Sequence, residues 1–143
     1  MATLTVTDEQ LRLIQYALDL YARVGIGQFN AIKDHPTFER HLNNEFKDEE
    51  GNTDYNKYHH VRMTVDDLMA IARNLLYNDL QYATRGSWGI GHDNVDNSCR
   101  DAFDLVQVIR HEFWKADPNR SSITVDSSVH LMDKSNSNIN VEL

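Results

Sequence analysis

Five side chains of the sequence have the chemistry needed to bind a small anionic ligand: three guanidinium groups, one hydroxyl and one indole ring. They are Arg23, Arg85, Ser87, Trp88 and Arg110. Guanidinium groups bind phosphates through paired hydrogen bonds, and an indole ring can stack on a nucleotide base. Glycines follow Arg23 and surround Trp88, where they let the backbone approach a ligand closely. The combination predicts a ligand-binding pocket, most specifically one for a nucleotide.

The segment Gly86–Gly91 precedes a predicted helix, and the free N–H groups at a helix N-terminus attract anions. Its glycines follow the order G-x-x-G-x-G, and a helix rather than a strand comes before them. It therefore matches neither the dinucleotide-binding fingerprint nor the phosphate-binding loop of nucleotide hydrolases. The alternative interpretation is a turn between two antiparallel helices, in which Trp88 covers the core.

Arg110 interrupts the apolar face of the last predicted helix. A buried guanidinium needs an acidic partner, a carbonyl oxygen or an anionic ligand. Asp19 and Asp79 also interrupt or border helical apolar faces, so an Arg–Asp pair that ties two helices together is the alternative to a ligand site. The same two interpretations apply to Arg23.

No motif for catalysis or metal binding is present. The sequence has seven histidines, but their spacing does not match a metal site, and His111-Glu112 lacks the second histidine that a zinc-binding helix would carry four residues later. Cys99 lies near a helix start, where its pKa could be lowered, but it also lies on an apolar face, as a buried structural thiol would. We therefore expect a non-enzymatic protein with no cofactor and no metal.

The composition excludes several classes of protein. The chain has 143 residues, of which 41% are hydrophobic, a formal net charge of -8 and one cysteine. This size suits a single core, and no segment is long and apolar enough to cross a membrane. The acidic balance argues against general nucleic-acid binding. A single cysteine cannot form an internal disulfide, which favours a reducing cytoplasm.

Helical periodicity and capping signals predict the elements that position these side chains. Thr7 and Gln10 form a capping box, and the apolar spacing that follows predicts one long helix, possibly kinked, over residues 8–33. Pro36 begins a short second helix. Residues 47–63 are predicted to be a loop, and Thr64 to cap a third helix with an apolar stripe of Val65, Leu68, Ala72, Leu75 and Leu76. Another helix is predicted over about residues 95–116. The expected fold is mainly α, a compact domain of antiparallel long helices.

The last 25 residues have a different pattern. Apolar residues alternate with polar ones around a turn-forming segment, 135–138, a spacing of two that is typical of strands. We expect a helical domain over 1–118 and, over 119–143, either a small β element or a flexible tail. A lone hairpin is marginally stable in water, so the tail predicts a homo-oligomer, most simply a dimer with antiparallel last helices.

Three stretches together resemble a known group of proteins: EQLRLIQYALDLY running into GIGQF, SWGI, and AFDLVQVIRH. They are similar to segments of a group of small, uncharacterised bacteriophage and prophage proteins. The resemblance covers about residues 8–116. It implies the cytoplasm of an infected bacterial host and an action on host or phage components.

Two classes of function follow from these observations. In the first, the protein binds a small anionic ligand and sequesters a nucleotide signal of bacterial immunity. In the second, it is an acidic protein–protein inhibitor or DNA mimic that acts on a host factor, as the net charge of -8 allows. The expected partners are therefore a small anionic ligand, further copies of the chain, or a host protein.

Overall fold

The computed structural model describes residues 3–77, 86–119 and 129–143, and these are mainly helical, as expected. The α-helices are α1 (Asp8–Gly25), α2 (Pro36–Glu45), α3 (Tyr55–Leu76) and α4 (Asn97–Ala116), and a 3₁₀ helix spans Phe29–Asp34. Within these ranges the only β pairing is an isolated antiparallel bridge between Lys47 and Thr53. No helix in the described ranges has the length and apolarity needed to cross a membrane.

Contacts between residues divide the chain into two compact units. The first, called the α1–α4 unit below, consists of Met1–Ile26 and Trp88–Leu143, and the second, the α3 unit, consists of Gly27–Ser87. The described part of the C-terminal tail belongs to the α1–α4 unit, so the contacts do not divide the chain at residues 118 and 119.

In the α1–α4 unit, the two long helices pack against each other through small and medium-sized side chains. The predicted capping box of α1 is present, since the Thr7 hydroxyl accepts a hydrogen bond from the Gln10 amide and the Gln10 side chain accepts one from the Thr7 amide. The buried apolar residues are Ala22, Val95, Cys99, Ala102, Val106, Val108 and Ile109. A Cβ atom added to Gly25 would lie 2.1 Å from the Cys99 Sγ atom, so a larger residue at this crossing requires α1 or the Cys99 side chain to shift.

The prediction of one helix over residues 8–33 is wrong, because α1 ends at Gly25. The Ile26 amide still donates to the Ala22 carbonyl at 3.1 Å, but Gly27 has a φ of +86°. This left-handed conformation suits glycine and ends the α-helical path. A separate 3₁₀ helix follows from Phe29.

The third helix begins ten residues earlier than predicted. Asp54, not Thr64, is its N-cap residue, and the Asp54 carboxylate accepts a hydrogen bond from the Lys57 amide at 3.2 Å. The predicted loop over 47–63 therefore ends at Asp54. The first turns of α3 lack a regular apolar spacing. They are stabilised by polar contacts with the short helices instead.

Those polar contacts join the short helices of the α3 unit to α3. The Tyr58 hydroxyl donates to the Glu39 carboxylate on α2. The Arg62 guanidinium pairs with Glu39 and with Asp34, which ends the 3₁₀ helix. The hydrogen bond from Tyr58 and the charge of Arg62 lower the pKa of Glu39. Ionised carboxylates thus hold this unit together.

The apolar stripe predicted for α3 does not face a core. Leu68, Leu75 and Leu76 are exposed, whereas Val65 and Ala72 are half-buried. The residue of α3 that is most deeply buried is Arg73, which is 4% exposed.

Residues 129–143 of the tail form no strand, and they lie against α4. The Met132 amide donates to the buried Asp104 carboxylate at 2.9 Å, and the Asn136 amide donates to Asp101 at 2.8 Å. The Ser135 hydroxyl also donates to Asp101, which lowers the pKa of that carboxyl. Two backbone amides of the tail are therefore bound by side-chain carboxylates of α4 rather than by a neighbouring strand. Residues 120–128, the other part of the predicted β pattern, lie outside the described ranges.

Candidate functional site

A cavity of about 700 Å³ lies within the α3 unit. Its wall is formed by the segment that follows α1, by the 3₁₀ helix, by one side of α3 and by Gly86. The lining residues are Gly27, Gln28, Phe29, Asn30, Lys33, Met63, Asp66, Asp67, Met69, Ala70, Ile71, Arg73, Asn74 and Gly86. Both glycine-containing segments that the sequence singled out thus contribute to one cavity.

Arg73 links α3 to the second glycine-containing segment. Its Nη1 atom donates to the Gly86 carbonyl at 2.7 Å, and its Nε and Nη2 atoms donate to the Asn74 side-chain oxygen at 3.1 and 2.8 Å. These hydrogen bonds orient the guanidinium toward the second glycine-containing segment. A buried cation whose direction is determined in this way is suited to recognising an anionic or strongly polar group.

Lys33 brings a second cation to the cavity wall, on the 3₁₀ helix. Its ammonium group pairs with the Asp66 carboxylate of α3, and only 15% of the Lys33 side chain is exposed. Asp67 adds another carboxylate to the lining. Among the residues that the structure describes, the cavity wall therefore combines two cations and two carboxylates, and the Lys33–Asp66 pair holds the 3₁₀ helix to α3.

The remaining wall of the cavity is suited to a flat, partly apolar molecule. Phe29 contributes an aromatic ring, which also makes an edge-to-face contact with Tyr77 at a centroid distance of 5.6 Å. The side chains of Met63 and Met69 are flexible and polarisable, and so can adapt to a ring. The Gln28 side chain donates to the Ser87 hydroxyl at 3.2 Å, which brings the two glycine-containing segments together.

The sequence-predicted site residues do not all meet in one place. Arg23 and Arg110 share Asp19: the Arg23 Nε atom lies 2.6 Å from one carboxylate oxygen and the Arg110 Nη2 atom 3.7 Å from the other. The Arg110–Asp19 pair joins α4 to α1, which is the alternative interpretation of Arg110, whereas the Arg23–Asp19 pair lies within α1. Both lie in the α1–α4 unit, and neither lines the cavity of the α3 unit.

Trp88, Ser87 and Arg85 have three different outcomes. The Trp88 ring stacks on His92 in the α1–α4 unit, with centroids 5.4 Å apart and an angle of 2° between the planes. Ser87 belongs to the α3 unit and contacts Gln28 there. Arg85 lies outside the described residues. The cavity lining thus includes residues that are close in sequence to the predicted ones, namely Gly27 and Gly86. Its cations among the described residues are Lys33 and Arg73.

Two buried charged residues on α4, Arg100 and Asp104, are not among the predicted site residues. Arg100 donates to the His92 carbonyl at 2.7 Å and to the Asn97 side chain, so it anchors the loop that carries His92. Within the described ranges, the Arg100 Nε atom and one Asp104 oxygen are buried without a hydrogen-bond partner.

The cysteine and the histidines contribute no reactive centre to the parts of the chain that are described. Cys99 is buried in the α1–α4 core, and burial raises the pKa of its thiol. A raised pKa disfavours the thiolate, so Cys99 is the structural thiol rather than the reactive one. In the same parts of the chain, no three His, Cys, Asp or Glu side chains lie close enough together to hold a metal ion.

Comparison with known proteins gives no relative from which a function could be transferred. No family model, no curated protein and no solved structure matches the chain.

Proposed function

We propose that this protein is a non-enzymatic phage protein that binds a small anionic ligand in the cavity of the α3 unit. In the setting that the resemblance to phage proteins implies, the ligand is a nucleotide signal of bacterial immunity, which the protein sequesters. The observation that carries the proposal is the cavity of about 700 Å³, whose wall combines both glycine-containing segments with Lys33 and Arg73.

The volume of the cavity supports a ligand of nucleotide size. Binding sites for small molecules occupy about 300–1,000 Å³ and combine apolar walls with a few placed polar groups. In this cavity, Phe29, Met63 and Met69 provide apolar surface, and Gln28 and Asn74 provide side-chain amides. Such a wall can stack on a base while it forms hydrogen bonds to a sugar or phosphate.

An anionic group on that ligand would contact Lys33 and Arg73, the two cations among the described lining residues. The Arg73 guanidinium is already oriented by Gly86 and Asn74, so little conformational freedom is lost when a phosphate approaches it. Lys33 can exchange its partner, since a ligand phosphate can take the place of the Asp66 carboxylate. The exchange of one anion for another avoids leaving the ammonium group unpaired.

Isothermal titration calorimetry against cyclic dinucleotides and ADP-ribose derivatives tests the proposal. We expect one of these ligands to bind, and Lys33→Gln to weaken its binding by about 10- to 100-fold, the usual effect of losing a hydrogen bond to a charged group. Lys57→Gln is the matched control, since Lys57 lies on α3, is 71% exposed and does not line the cavity. It should bind as the wild type does.

Two results would count against the proposal. Absence of binding by the wild type across these compounds would exclude the nucleotide class. A host polypeptide that co-purifies with the protein, without any nucleotide released on heating, would instead support the acidic inhibitor that the sequence analysis kept as the alternative.

A further inference from the structure

The α3 wall of the cavity contains two rows of residues that differ in depth. Residues spaced by three, four or seven positions lie on the same side of an α-helix. Asp66, Met69 and Arg73 form the deeper row, in which Arg73 is only 4% exposed. Met63 and Asp67 belong to the second row and are exposed, Met63 to 67%. The wall therefore runs from a buried side to an exposed rim.

The two rows also differ in charge. The deeper row includes Arg73 and the Asp66 carboxylate that pairs with Lys33, so both cations of the described lining lie on this side. The rim carries the Asp67 carboxylate instead. Among the residues that the structure describes, none pairs with Asp67. A ligand whose phosphate contacts the two cations therefore presents its remaining part to a carboxylate that can still accept hydrogen bonds.

The chemistry of a carboxylate distinguishes between the nucleobases. An ionised carboxylate only accepts hydrogen bonds, and its two oxygens can accept two parallel ones. Guanine has two adjacent N–H donors, at N1 and N2, on its Watson–Crick edge. Adenine and cytosine have one donor next to a ring nitrogen acceptor, and the single donor of uracil lies between two carbonyl oxygens. Guanine is therefore the base that a lone carboxylate binds best.

We propose that Asp67 is the residue that selects the base, and that the ligand is a guanine nucleotide. This inference rests on the proposed function and adds the identity of the base to it. Asp67 and Arg73 are six residues apart on α3, about 9 Å along the helix axis at a rise of 1.5 Å per residue. That distance leaves room for a sugar between the base and the phosphate.

Met63 supports a base at the rim. It precedes Asp67 by one helical turn, lines the cavity and has a flexible, polarisable side chain that can lie against the plane of a ring. Adenine nucleotides keep the phosphate contacts with Lys33 and Arg73, so they bind more weakly rather than not at all.

Isothermal titration calorimetry of the full chain with three cyclic dinucleotides tests the choice of base. Cyclic di-GMP, cyclic di-IMP and cyclic di-AMP share one backbone, and cyclic di-IMP differs from cyclic di-GMP only in lacking the N2 amino groups. We expect the wild type to bind cyclic di-GMP about 10-fold or more tightly than either of the others, because a ligand without the second donor leaves one carboxylate oxygen unpaired.

Asp67→Asn tests whether this carboxylate is the cause. The amide is nearly the same size, but its NH₂ group faces the N2 amino group of guanine, donor against donor. We expect the affinity for cyclic di-GMP to fall about 10- to 100-fold and the preference over cyclic di-IMP to disappear. A folding defect would weaken both ligands equally, so the lost preference identifies base recognition.

Glu49→Gln is the matched control. Glu49 is an exposed carboxylate of the same α3 unit, and it does not line the cavity. This variant should keep the wild-type affinities and their order. Circular dichroism shows whether each variant keeps its helical content, and exposed positions such as these tolerate substitution well.

The outcomes separate this inference from the proposed function. Equal affinity of the wild type for the three cyclic dinucleotides, or an unchanged preference in Asp67→Asn, would overturn the choice of guanine and leave the proposed function standing. Binding of ADP-ribose derivatives without binding of cyclic di-GMP would do the same. Absence of binding by all these compounds would overturn the proposed function and this inference with it.

Discussion

Replacing Gly25 by alanine should destabilise the α1–α4 unit, although alanine is the better helix former. The added Cβ atom would lie 2.1 Å from the Cys99 Sγ atom and 3.1 Å from the Cys99 Cβ atom. Real Cβ contacts do not become this short, so α1 must move away from α4 or the Cys99 side chain must change its rotamer. Either change disturbs the buried residues around Cys99.

The size of the effect follows from two opposing terms. Overpacking a buried contact costs about 1–3 kcal/mol, while exchanging glycine for alanine inside a helix gains at most about 1 kcal/mol. Gly25 is the last residue of α1, so its share of that gain is smaller. We expect Gly25→Ala to lower the free energy of unfolding by about 1–2 kcal/mol.

Urea unfolding followed by tryptophan fluorescence measures the free energy of unfolding of the α1–α4 unit, because Trp88 and Trp114 both belong to that unit. Gly89→Ala is the control, since a Cβ atom there would meet nothing within 4 Å. The cause is tested by adding Cys99→Ala, which removes the Sγ atom. The double variant should be at least about 1 kcal/mol more stable than the sum of the single effects predicts. Wild-type stability of Gly25→Ala, or strict additivity with Cys99→Ala, would refute the reasoning.

Three further predictions concern titration, the tail and the thiol. The hydrogen bond from Tyr58 lowers the pKa of Glu39 below its ordinary value of 4.5, so this stabilisation is present above pH 4.5 and is lost as the pH falls through the lowered folded pKa. In urea unfolding at pH 7 to 3, Glu39→Gln should therefore reduce the loss of stability on acidification. Asp101→Ala should speed hydrogen exchange of the Asn136 amide about 10-fold or more, because that amide donates to the Asp101 carboxylate. Cys99 should react with a thiol reagent at least about 100-fold more slowly in the folded protein than in urea, since it is buried and burial raises its pKa.

Each of these three expectations has an outcome that contradicts it. The first is wrong if Glu39→Gln and the wild type lose stability in parallel between pH 7 and 3. The second is wrong if the Asn136 amide exchanges at the same rate after Asp101→Ala. Complete labelling of folded Cys99 within minutes at neutral pH would contradict the third.

Local signals in the sequence were sufficient to predict the ends of several helices. The capping box at Thr7 and the proline at position 36 each act within one helical turn, and both predicted starts are confirmed. The predicted end of the last helix near Ala116 is also confirmed. Such signals work because they depend on neighbouring residues rather than on tertiary packing.

Two helix boundaries could not be read from spacing alone. Phe29 and Ile32 are three residues apart, which suits a 3₁₀ helix as well as an α-helix, so the pattern did not show that α1 ends at Gly25. The first turns of α3 contact Glu39 and Asp34 through Tyr58 and Arg62. Regular spacing of apolar residues therefore does not identify helical turns that are stabilised by polar contacts.

The site was harder to predict because apolar spacing does not show which side of α3 is buried. The predicted apolar stripe of α3 includes Leu68 and Leu75, which are exposed, while Arg73 is buried. The rule that singled out Arg110, a cation on an apolar face, applies equally to Arg73, which follows Met69 by one turn. Spacing identified candidate cations, but only the tertiary structure separated the Arg110 ion pair with Asp19 from the cavity cation Arg73.

The tail shows a similar limit. Its alternating apolar residues predict either a strand or a flexible segment, but Asp101 and Asp104 on α4 accept hydrogen bonds from its backbone amides. These contacts join residues about 30 positions apart in sequence, and nothing within the tail itself encodes them.

Photo-cross-linking of a nucleotide to the intact chain tests most directly whether the cavity of the α3 unit is the ligand site. The probes are 8-azido derivatives of cyclic di-AMP and ADP-ribose, and the attached residues are located by peptide mass spectrometry. We predict adducts on peptides that contain Phe29 or Met63, and their loss when unlabelled nucleotide competes. Adducts at Trp88 or Arg110 instead, or none that a competitor removes, would contradict the proposed site.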